Sequence, residues 1–437
     1  MNVVKTFLVV VAITMPGYLS AQISLTEKDR VFFKNRVEYN LTYMVKDSSI
    51  LNKIEIQGNG IRMFDNTIYP EMRLYWDEVP KFIGYSQGMD YYKLKSFYQN
   101  KGGQYLFLKE EDADMYEYYH PHPPTDFYGL RVAIDPGHIA GNIKEAIYEK
   151  KYLIFGEDSV FEARLTYATA AILKDTLEKL GAEVLLTRNE RTGAVGIPFQ
   201  KWYREDFKKD LDTYVALGDV SPQEAKKLRE TDSKYYVFET FYTYLDFVSR
   251  SRKINAFHPD VTFIIHYNSD ESNHRVEGRN TVPVDANYSM CFVPGAFAFG
   301  ELKKIDYRID FIRLLVSNNI EESQKLAKYW IEEHEKIGIP PIPADNDLIH
   351  VRKYCIAAPN GEGIYSRNLY LTRAIKSPVV YGESLYQDNK TEKDLLLKKD
   401  FMLGDITTSK RVAEVAYAYL NTLRRWLEDN KKNEDNE

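Results

Sequence analysis

The sequence is poor in three features that would each point to a class of protein. Only two cysteines occur in 437 residues, which excludes a disulfide-stabilised scaffold. Cys291 and Cys355 are compatible with one disulfide in an oxidising compartment and equally with two buried thiols. Basic residues are not in excess, and the net charge of −6 argues against a nucleic-acid-binding protein. No apolar run approaches the ~20 residues that a membrane-spanning helix needs.

Residues 1–21 have the pattern of a signal peptide. Lys5 supplies the positive charge, residues 6–14 are apolar, and Ala21 is a small residue before Gln22. No cysteine follows for attachment of a lipid. We therefore expect export with cleavage, to the periplasm in a Gram-negative bacterium and otherwise to the medium, and no transmembrane segment in the mature chain.

The length and composition predict more than one folded unit. A chain of 437 residues exceeds what one hydrophobic core usually serves, and 44% hydrophobic residues exclude general disorder. The predicted units are a signal peptide (1–21), an N-terminal β-rich module (22–128), a catalytic domain (129–428) with a helical insertion (196–250) and a loop insertion (270–360), and a charged, disordered tail (429–437).

The N-terminal module contains three predicted strands. Residues 37–43 and 53–57 alternate apolar and polar side chains, which is typical of half-buried strands. Gly58-Asn59-Gly60 predicts a turn, and residues 105–108 are a further strand candidate.

The central feature of the chain is a short apolar run, Val132 to Ile134, that stops at Pro136-Gly137. The run predicts a buried strand, and the Pro-Gly pair predicts a turn at its end. His138 therefore follows the C-terminal end of a strand, where open α/β sheets build their sites. By itself this position is compatible with a metal ligand, a general base or a structural residue.

The following elements extend this strand into an open, twisted, mostly parallel sheet flanked by helices. Residues 161–180 predict a helix that ends at Gly181, and residues 184–186 predict the next strand of a βαβ unit. A second apolar run (261–265) is followed by His266 and Asn268, and a third (378–381) by Glu383.

Two histidines at strand ends suit a zinc site, since a catalytic zinc usually has three protein ligands. The third ligand is expected to be a carboxylate from the interval after His138, which offers Glu145, Glu149, Glu157 and Glu162. Ser159 and Glu162 also form a capping-box pattern, which would explain Glu162 without a metal.

Several short motifs resemble the zinc-dependent N-acetylmuramoyl-L-alanine amidases of the amidase 3 family. The resemblance covers roughly residues 130–200, 245–270 and 365–425. It is carried by Ile134–His138, Glu162, Gly181, Leu186-Thr187-Arg188, His266-x-Asn268 and Pro378–Glu383. The spacing from Glu162 to Gly181 and Thr187-Arg188 fits the family and favours Glu162 among the four glutamates.

The resemblance implies one zinc ion held by His138, Glu162 and His266, with Glu383 as the catalytic glutamate. It gives Asp135, Arg250 and Asn268 orienting or structural roles. The implied substrate is peptidoglycan, cleaved at the amide between N-acetylmuramic acid and L-alanine during cell-wall remodelling or septum splitting.

The sequence departs from the family pattern at four places, which are Ile139-Ala140, the long 138–162 interval, Ser269-Asp270 and Ser384-Leu385-Tyr386. These departures keep open the alternative of a zinc hydrolase of a different exported amide. The other alternative, an inactive peptidoglycan-binding protein, is disfavoured because the three ligand residues and Glu383 are all present.

The insertion at 196–250 is predicted to be helical, since Ser221-Pro222-Gln223-Glu224 forms a capping box with proline at the first helical position. Its place before the second histidine strand gives two hypotheses. The insertion either covers the crevice until an activator protein displaces it, or forms a wall of the substrate groove.

Overall fold

The structure is a computed structural model that describes residues 25–65, 68–87, 91–101, 123–139, 143–273, 280–359 and 361–434. The predicted signal peptide and the strand candidate at 105–108 lie outside the described residues, and neither prediction is tested.

The N-terminal part combines helices with a three-stranded antiparallel sheet of order β1-β2-β3. Its elements are α1 (Glu27–Met44), β1 (Ile54–Gln57), β2 (Gly60–Asp65), β3 (Ile68–Tyr75), α2 (Val79–Gln87) and α3 (Tyr91–Lys101). Gln57 pairs with Gly60 across the turn between β1 and β2. The strand near residues 53–57 and the turn after it are therefore confirmed.

The predicted strand at 37–43 is wrong, because these residues belong to helix α1. Thr26 begins the helix as its N-cap in a capping box with Asp29. The buried residues Phe33, Val37 and Asn40 recur every three to four positions, the period of a helix facing a core. The alternation of polar and apolar side chains at 37–43 was local and did not match this longer period.

The N-terminal elements share their hydrophobic core with a segment much later in the chain. Phe33, Val37 and Trp76 lie in one buried cluster with Phe297 and Ile312. Asn40 Nδ2 also donates hydrogen bonds to carbonyls at the end of a later helix, including that of Leu314 at 3.1 Å. This part of the chain therefore folds against residues 297–320.

The remaining elements form the α/β part of the protein. Up to the second histidine strand they are β4 (Arg131–Pro136), α4 (Ile143–Glu149), β5 (Tyr152–Phe155), β6 (Asp158–Phe161), α5 (Glu162–Lys179), β7 (Glu183–Leu186), α6 (Phe199–Glu205), α7 (Phe207–Ala216), α8 (Pro222–Glu230), α9 (Lys234–Val237), α10 (Thr243–Phe257) and β8 (Val261–Asn268). After it come β9 (Met290–Val293), α11 (Ile305–Val316), α12 (Asn319–Lys336), α13 (Ile349–Tyr354), β10 (Cys355–Ala357), β11 (Ile364–Arg367), α14 (Tyr370–Ala374), β12 (Val379–Tyr386), α15 (Glu392–Leu396), β13 (Phe401–Leu403), β14 (Ile406–Thr408) and α16 (Lys410–Glu434).

Seven strands form the central sheet, in the order β10-β11-β9-β12-β8-β4-β7. The four strands β12, β8, β4 and β7 are parallel to one another, whereas β9 runs antiparallel to β12. The fold class predicted from the sequence is confirmed. Because the four parallel strands share a carboxyl edge, residues at the ends of β4 and β8 and near the end of β12 lie at the same edge of the sheet.

Helices cover both faces of the sheet. On one face, side chains of α5, α12 and α16 pack on the strands, with Leu173, Trp330 and Tyr419 fully or almost fully buried. On the other face, Ile254 of α10 and Leu371 of α14 pack on the strands. The strands consequently consist of nearly unbroken apolar runs, as strands buried on both sides do.

The predicted loop insertion at 270–360 contains regular structure. Strands β9 and β10 belong to the central sheet, and α11 and α12 are long helices. The predicted disordered tail from Asp429 is wrong up to residue 434, because α16 continues to Glu434.

The prediction that residues 196–250 are helical is confirmed by α6 to α10, and a π-helical turn at Phe238–Tyr242 joins α9 to α10. Ser221 and Glu224 form the expected capping box, with Pro222 at the start of α8. Within the described part of the chain, every helix is too short or too polar to cross a bilayer.

Cys291 and Cys355 are free thiols, buried in β9 and β10. Burial raises the pKa of the Cys355 thiol to about 11, and burial also raises the pKa of Cys291. Both thiols are therefore held in their protonated, unreactive form at neutral pH.

The buried histidine His334 of α12 is a source of acid sensitivity. Its ring packs on Trp330, and its Nδ1 atom lies 2.8 Å from the Trp330 carbonyl oxygen. Burial lowers the pKa of His334 to about 3, whereas the unfolded chain binds a proton near pH 6.5.

We expect the free energy of unfolding to fall by ~1.4 kcal/mol for each pH unit below ~6.5 because of His334 alone, until the pH nears its folded-state pKa. His334→Gln should reduce the difference in urea unfolding free energy between pH 7 and pH 5. His350→Gln, which removes a histidine paired with Glu271 at the surface, is the control. Equal pH dependence of all three proteins would contradict this account.

Candidate active site

The turn after β4 places His138 at the carboxyl edge of the sheet. The Gly137 amide donates a hydrogen bond to the Ile265 carbonyl at 2.9 Å, which continues the pairing of β4 with β8. His138 then adopts a left-handed backbone conformation with φ of 65°. This conformation is unfavourable for a histidine, so the surrounding contacts must hold it.

Two buried arginines hold the carbonyls of this turn. Arg188 donates to the Pro136 carbonyl at 2.9 Å and to the Gly137 carbonyl at 2.8 Å. Arg250 donates to the Pro136 carbonyl at 2.7 Å and to the His138 carbonyl. Because both guanidiniums are planar and carry several donors, together they fix three successive carbonyl groups.

The charge of Arg250 is balanced by two buried aspartates. Its guanidinium lies 2.8 Å from Asp135 Oδ1 and 2.5 Å from Asp246 Oδ2, and all three side chains are at most 2% exposed. Thr187 also donates a hydrogen bond to Asp135. The structure therefore places Asp135 and Arg250 in one network that ties β4, β7 and α10 together behind His138.

Glu162 begins helix α5, but it does not serve as a capping residue. The N-cap is Phe161, which makes no side-chain cap, and Ser159 lies in strand β6. The capping box predicted from Ser159 and Glu162 is therefore wrong. The carboxylate of Glu162, which is 2% exposed, points instead toward the two histidines.

His138, Glu162 and His266 offer three ligand atoms that all lie within 4.8 Å of one another. Glu162 Oε2 is 2.8 Å from His138 Nε2, and Glu162 Oε1 is 2.9 Å from His266 Nδ1. The Tyr267 amide donates a hydrogen bond to Glu162 Oε1 at 3.1 Å, which orients the carboxylate. The structure thus brings together the three residues that the sequence analysis proposed as ligands.

Packing fixes the ring of His266. It stacks on Tyr381 with centroids 4.4 Å apart and an angle of 7° between the planes. A Cβ atom on Gly137 would lie 2.4 Å from His266 Nε2, so only glycine leaves room for this ring. The ring therefore presents Nδ1, and not Nε2, to Glu162.

Burial and charge act in opposite directions on the three side chains. Burial opposes protonation of His138, but the carboxylates of Glu162 and Glu149 raise its pKa to about 9. Burial lowers the pKa of His266 to about 4. Burial would raise the pKa of Glu162, but the charges of His138 and Lys151 hold it well below its usual value. Glu162 is therefore an anion beside a protonated His138 and a neutral His266.

Glu383 lies beside this cluster, on the neighbouring strand. It pairs in register with His266 across β12 and β8, and its side chain is on the same face of the sheet as Tyr381. Burial, and then the charge of Glu162, raise the pKa of Glu383 to about 7. A carboxyl group with this pKa can both accept and release a proton near neutral pH.

The three other glutamates of the 138–162 interval have different positions. Glu145 accepts a hydrogen bond from the Phe199 amide at 3.0 Å, and Glu157 is exposed. Glu149 lies behind His138, with Oε1 3.5 Å from His138 Nδ1. It also accepts two hydrogen bonds of 3.1 Å from the Ile139 amide. Glu149 is thus placed to orient the imidazole through its second nitrogen.

Asn268 ends strand β8 and organises the loop after it. Its Oδ1 atom accepts a hydrogen bond from the Ser269 amide at 2.8 Å, and its carbonyl accepts one from the Gln387 amide at 2.9 Å. The structure places Asn268 in a loop-holding position and shows no contact of it with the three clustered side chains among the described residues.

Reasoning from the sequence missed two groups that contact the cluster, Tyr381 and Lys151. In the sequence, Tyr381 appears only as one residue of a predicted strand, and His266, on which it stacks, is distant in the chain. Lys151 Nζ lies 3.7 Å from Glu162 Oε2. The one available signal for Lys151 was its position two residues after Glu149, a candidate ligand. The interval that contains it, residues 138–162, is longer than usual for the family.

The fold and the site together define an open α/β protein whose His–Glu–His cluster is suited to a metal ion. Residues 132–408, well over half of the chain, match the family model for N-acetylmuramoyl-L-alanine amidase. The chain therefore belongs to this amidase family, as the sequence motifs predicted. No curated protein sequence matches the chain significantly.

Several solved amidase structures align with the chain at low identity. The CwlD amidase of Clostridioides difficile, solved in complex with the GerS lipoprotein, is 14% identical, and the alignment covers 68% of this chain and 98% of that one with a TM-score of 0.37. Ami1 of Mycobacterium smegmatis is 12% identical, with 70% and 99% covered and a TM-score of 0.38. The catalytic domain of CwlV from Bacillus (Paenibacillus) polymyxa is 15% identical, with 68% and 98% covered and a TM-score of 0.36. These scores are too low to add to the family assignment.

Arg250→Ala should destabilise the fold by about 3–5 kcal/mol, because it leaves Asp135 and Asp246 as buried charges without their partner. Urea unfolding monitored by tryptophan fluorescence measures the change. Arg252→Ala is the control, since Arg252 lies on the same helix and hydrogen-bonds to Tyr214. A change below ~1 kcal/mol for Arg250→Ala would contradict the role given to this network.

Proposed function

We propose that the protein is an exported, zinc-dependent amidase that cleaves the bond between N-acetylmuramic acid and L-alanine in peptidoglycan. The proposal rests chiefly on the convergence of His138, Glu162 and His266 beside Glu383. Membership of the amidase family supports the reaction class, and the donor set of the cluster supports zinc.

The three clustered side chains fit a zinc ion. His138 Nε2 and Glu162 Oε2 are buried and face each other at 2.8 Å, and within the described residues neither atom has another hydrogen-bond partner. Two imidazoles and one carboxylate form a known catalytic zinc set, which leaves a fourth position for water. A shared cation would satisfy both buried atoms at once.

Each residue has a defined part in the proposed reaction. When bound, zinc supplies a Lewis acid that lowers the pKa of water to ~7 and polarises a carbonyl group. Glu383 accepts the proton of the attacking water and passes it to the nitrogen of the leaving L-alanine. Glu149 and the Tyr267 amide hold His138 and Glu162 in position. Glu383 is half-buried and therefore not fully enclosed, which is compatible with proton transfer.

Glu383→Gln should reduce the rate of peptidoglycan cleavage by ~10²–10⁴-fold and leave the zinc content unchanged, because only the proton carrier is lost. Mass spectrometry of digested peptidoglycan measures stem peptides with a free L-alanine amine and glycan chains that keep the lactyl group. Glu428→Gln, on the exposed side of α16, is the control.

His138→Ala, Glu162→Ala and His266→Ala should each lose zinc, as measured by metal analysis of the purified proteins. Removing zinc with a chelator should abolish cleavage, and adding zinc should restore cleavage.

Unchanged products from Glu383→Gln would remove Glu383 from the mechanism. A zinc-loaded wild type that binds peptidoglycan without releasing amines would instead identify the inactive binding protein, and release of amines only from another amide would identify a different hydrolase.

Export is proposed from the signal-peptide pattern of residues 1–21. N-terminal sequencing of the protein from its native cells should give a mature chain beginning at Gln22, recovered from the periplasm or the medium. A cytosolic protein that retains residues 1–21 would refute export and leave the amidase proposal intact.

The helical insertion packs directly on the segment that carries His138. Ile139 lies in one hydrophobic cluster with Trp202 and Phe238, and the Phe199 amide donates to Glu145 of α4. A partner that moved the insertion would therefore move the turn at His138. Activation by such a protein stays a proposal, next to the alternative that the insertion is a fixed wall of the groove.

A further inference from the structure

Lys151 contacts the cluster with a partly exposed side chain. Its Nζ atom lies 3.7 Å from Glu162 Oε2, and its side chain is 38% exposed, whereas the side chains of His138, Glu162 and His266 are 2–11% exposed. Of these four side chains, Lys151 is the most exposed, and its ammonium group contacts the Glu162 carboxylate.

The backbone around Lys151 is fixed. The Lys151 amide donates to the Ala146 carbonyl at 3.1 Å, which closes the end of α4. The next residues form the hairpin of β5 and β6, which is joined to Thr281 by a hydrogen bond of 3.0 Å from the Ile154 amide. Lys151 is thus carried by an ordered segment between two elements, and not by a free loop.

Metal binding does not explain a lysine at this position. A positive charge so near a ligand carboxylate repels a divalent cation and lowers its affinity. The partners of Lys151 are acidic, since Glu162, Glu149 and Glu383 all act on it electrostatically. A cation placed among them is useful where the reaction itself creates negative charge, which is at the carbonyl oxygen of the scissile amide.

We propose that Lys151 is a catalytic residue that donates a hydrogen bond to this oxygen as it becomes an oxyanion. The inference rests on the proposed amidase function. The water oxygen bonds to the carbonyl carbon, its proton goes to Glu383, and the carbonyl electron pair moves to the oxygen that faces Lys151. The C–N bond then breaks, the electron pair returns, and Glu383 gives the proton to the amine. Lys151 keeps its own proton throughout.

Lys151→Met should lower kcat by about 10²-fold, the typical cost of losing one oxyanion donor, with a much smaller change in KM. Lys151→Arg should retain a charged donor and recover most of this loss. Lys150→Met is the matched control, because Lys150 is the adjacent residue and its Nζ lies 4.4 Å from the Tyr235 ring centroid, on the insertion. Rates are measured as release of L-alanine amines from a soluble muramoyl peptide, and Lys151→Leu, which also lacks a donor, replaces the Met variant if the latter fails to fold.

Zinc affinity, measured by competition with a chelating dye, provides a readout that does not depend on activity. Lys151→Met should bind zinc at least as tightly as the wild type, because a repelling charge is removed. An unchanged kcat in the Met and Leu variants would overturn the proposal. A loss of zinc that parallels the loss of kcat would also overturn it, since Lys151 would then merely position Glu162.

These experiments distinguish a failure of the Lys151 proposal from a failure of the proposed amidase function. A wild type that cleaves only a different amide refutes the peptidoglycan substrate, and the variants are then compared on that amide. A wild type that cleaves no amide refutes both proposals. Loss of kcat with retained zinc in Lys151→Met, and rescue by arginine but not by leucine, supports the role of Lys151.

Discussion

The buried pairing of Arg250 with Asp135 and Asp246 is the interaction on which the site depends. Three charges are removed from water, and this is tolerated because each carboxylate faces a guanidinium donor at hydrogen-bonding distance. The same guanidinium holds the carbonyls of Pro136 and His138. An interaction that stabilises the contact between α10 and β4 therefore also keeps His138 in its unfavourable left-handed conformation. Fold stability and site geometry cannot be changed independently at Arg250.

The cluster beside this network contains mainly negatively charged side chains. Glu162 is an almost fully buried anion between two imidazoles, and Glu383 and Glu149 add further carboxylates nearby. A divalent cation in this place would neutralise Glu162 and leave Glu383 as the proton carrier. Lys151 is a positive charge on the exposed side of the same group. The site thus combines a buried acidic cluster with the partly exposed cation of Lys151, which suits an amide whose carbonyl oxygen becomes negative during hydrolysis.

Local sequence signals predicted the α/β part of the fold well and the N-terminal part less well. The apolar runs of β4 and β8 are buried on both faces, so no competing pattern obscured them. In α1, by contrast, a short alternation at 37–43 imitated a strand, while the period that decided the outcome came from Phe33, Val37 and Asn40 packing against residues 297–320. The helix α11, within the predicted loop insertion, was missed for the same reason: its burial depends on a partner far away in the chain.

The sequence by itself determined which residues follow strands β4 and β8, and the family motifs determined which glutamate accompanies the two histidines. It did not determine which side chains share the pocket. Strand order is not chain order here, since β12 lies next to β8 and β8 next to β4, and contacts between neighbouring strands leave no mark in local spacing. Only the tertiary structure decided three contacts: Tyr381 stacks on His266, Glu149 approaches His138, and Lys151 lies beside Glu162. Each contact joins side chains from different parts of the chain, so the distance between them depends on how those parts pack.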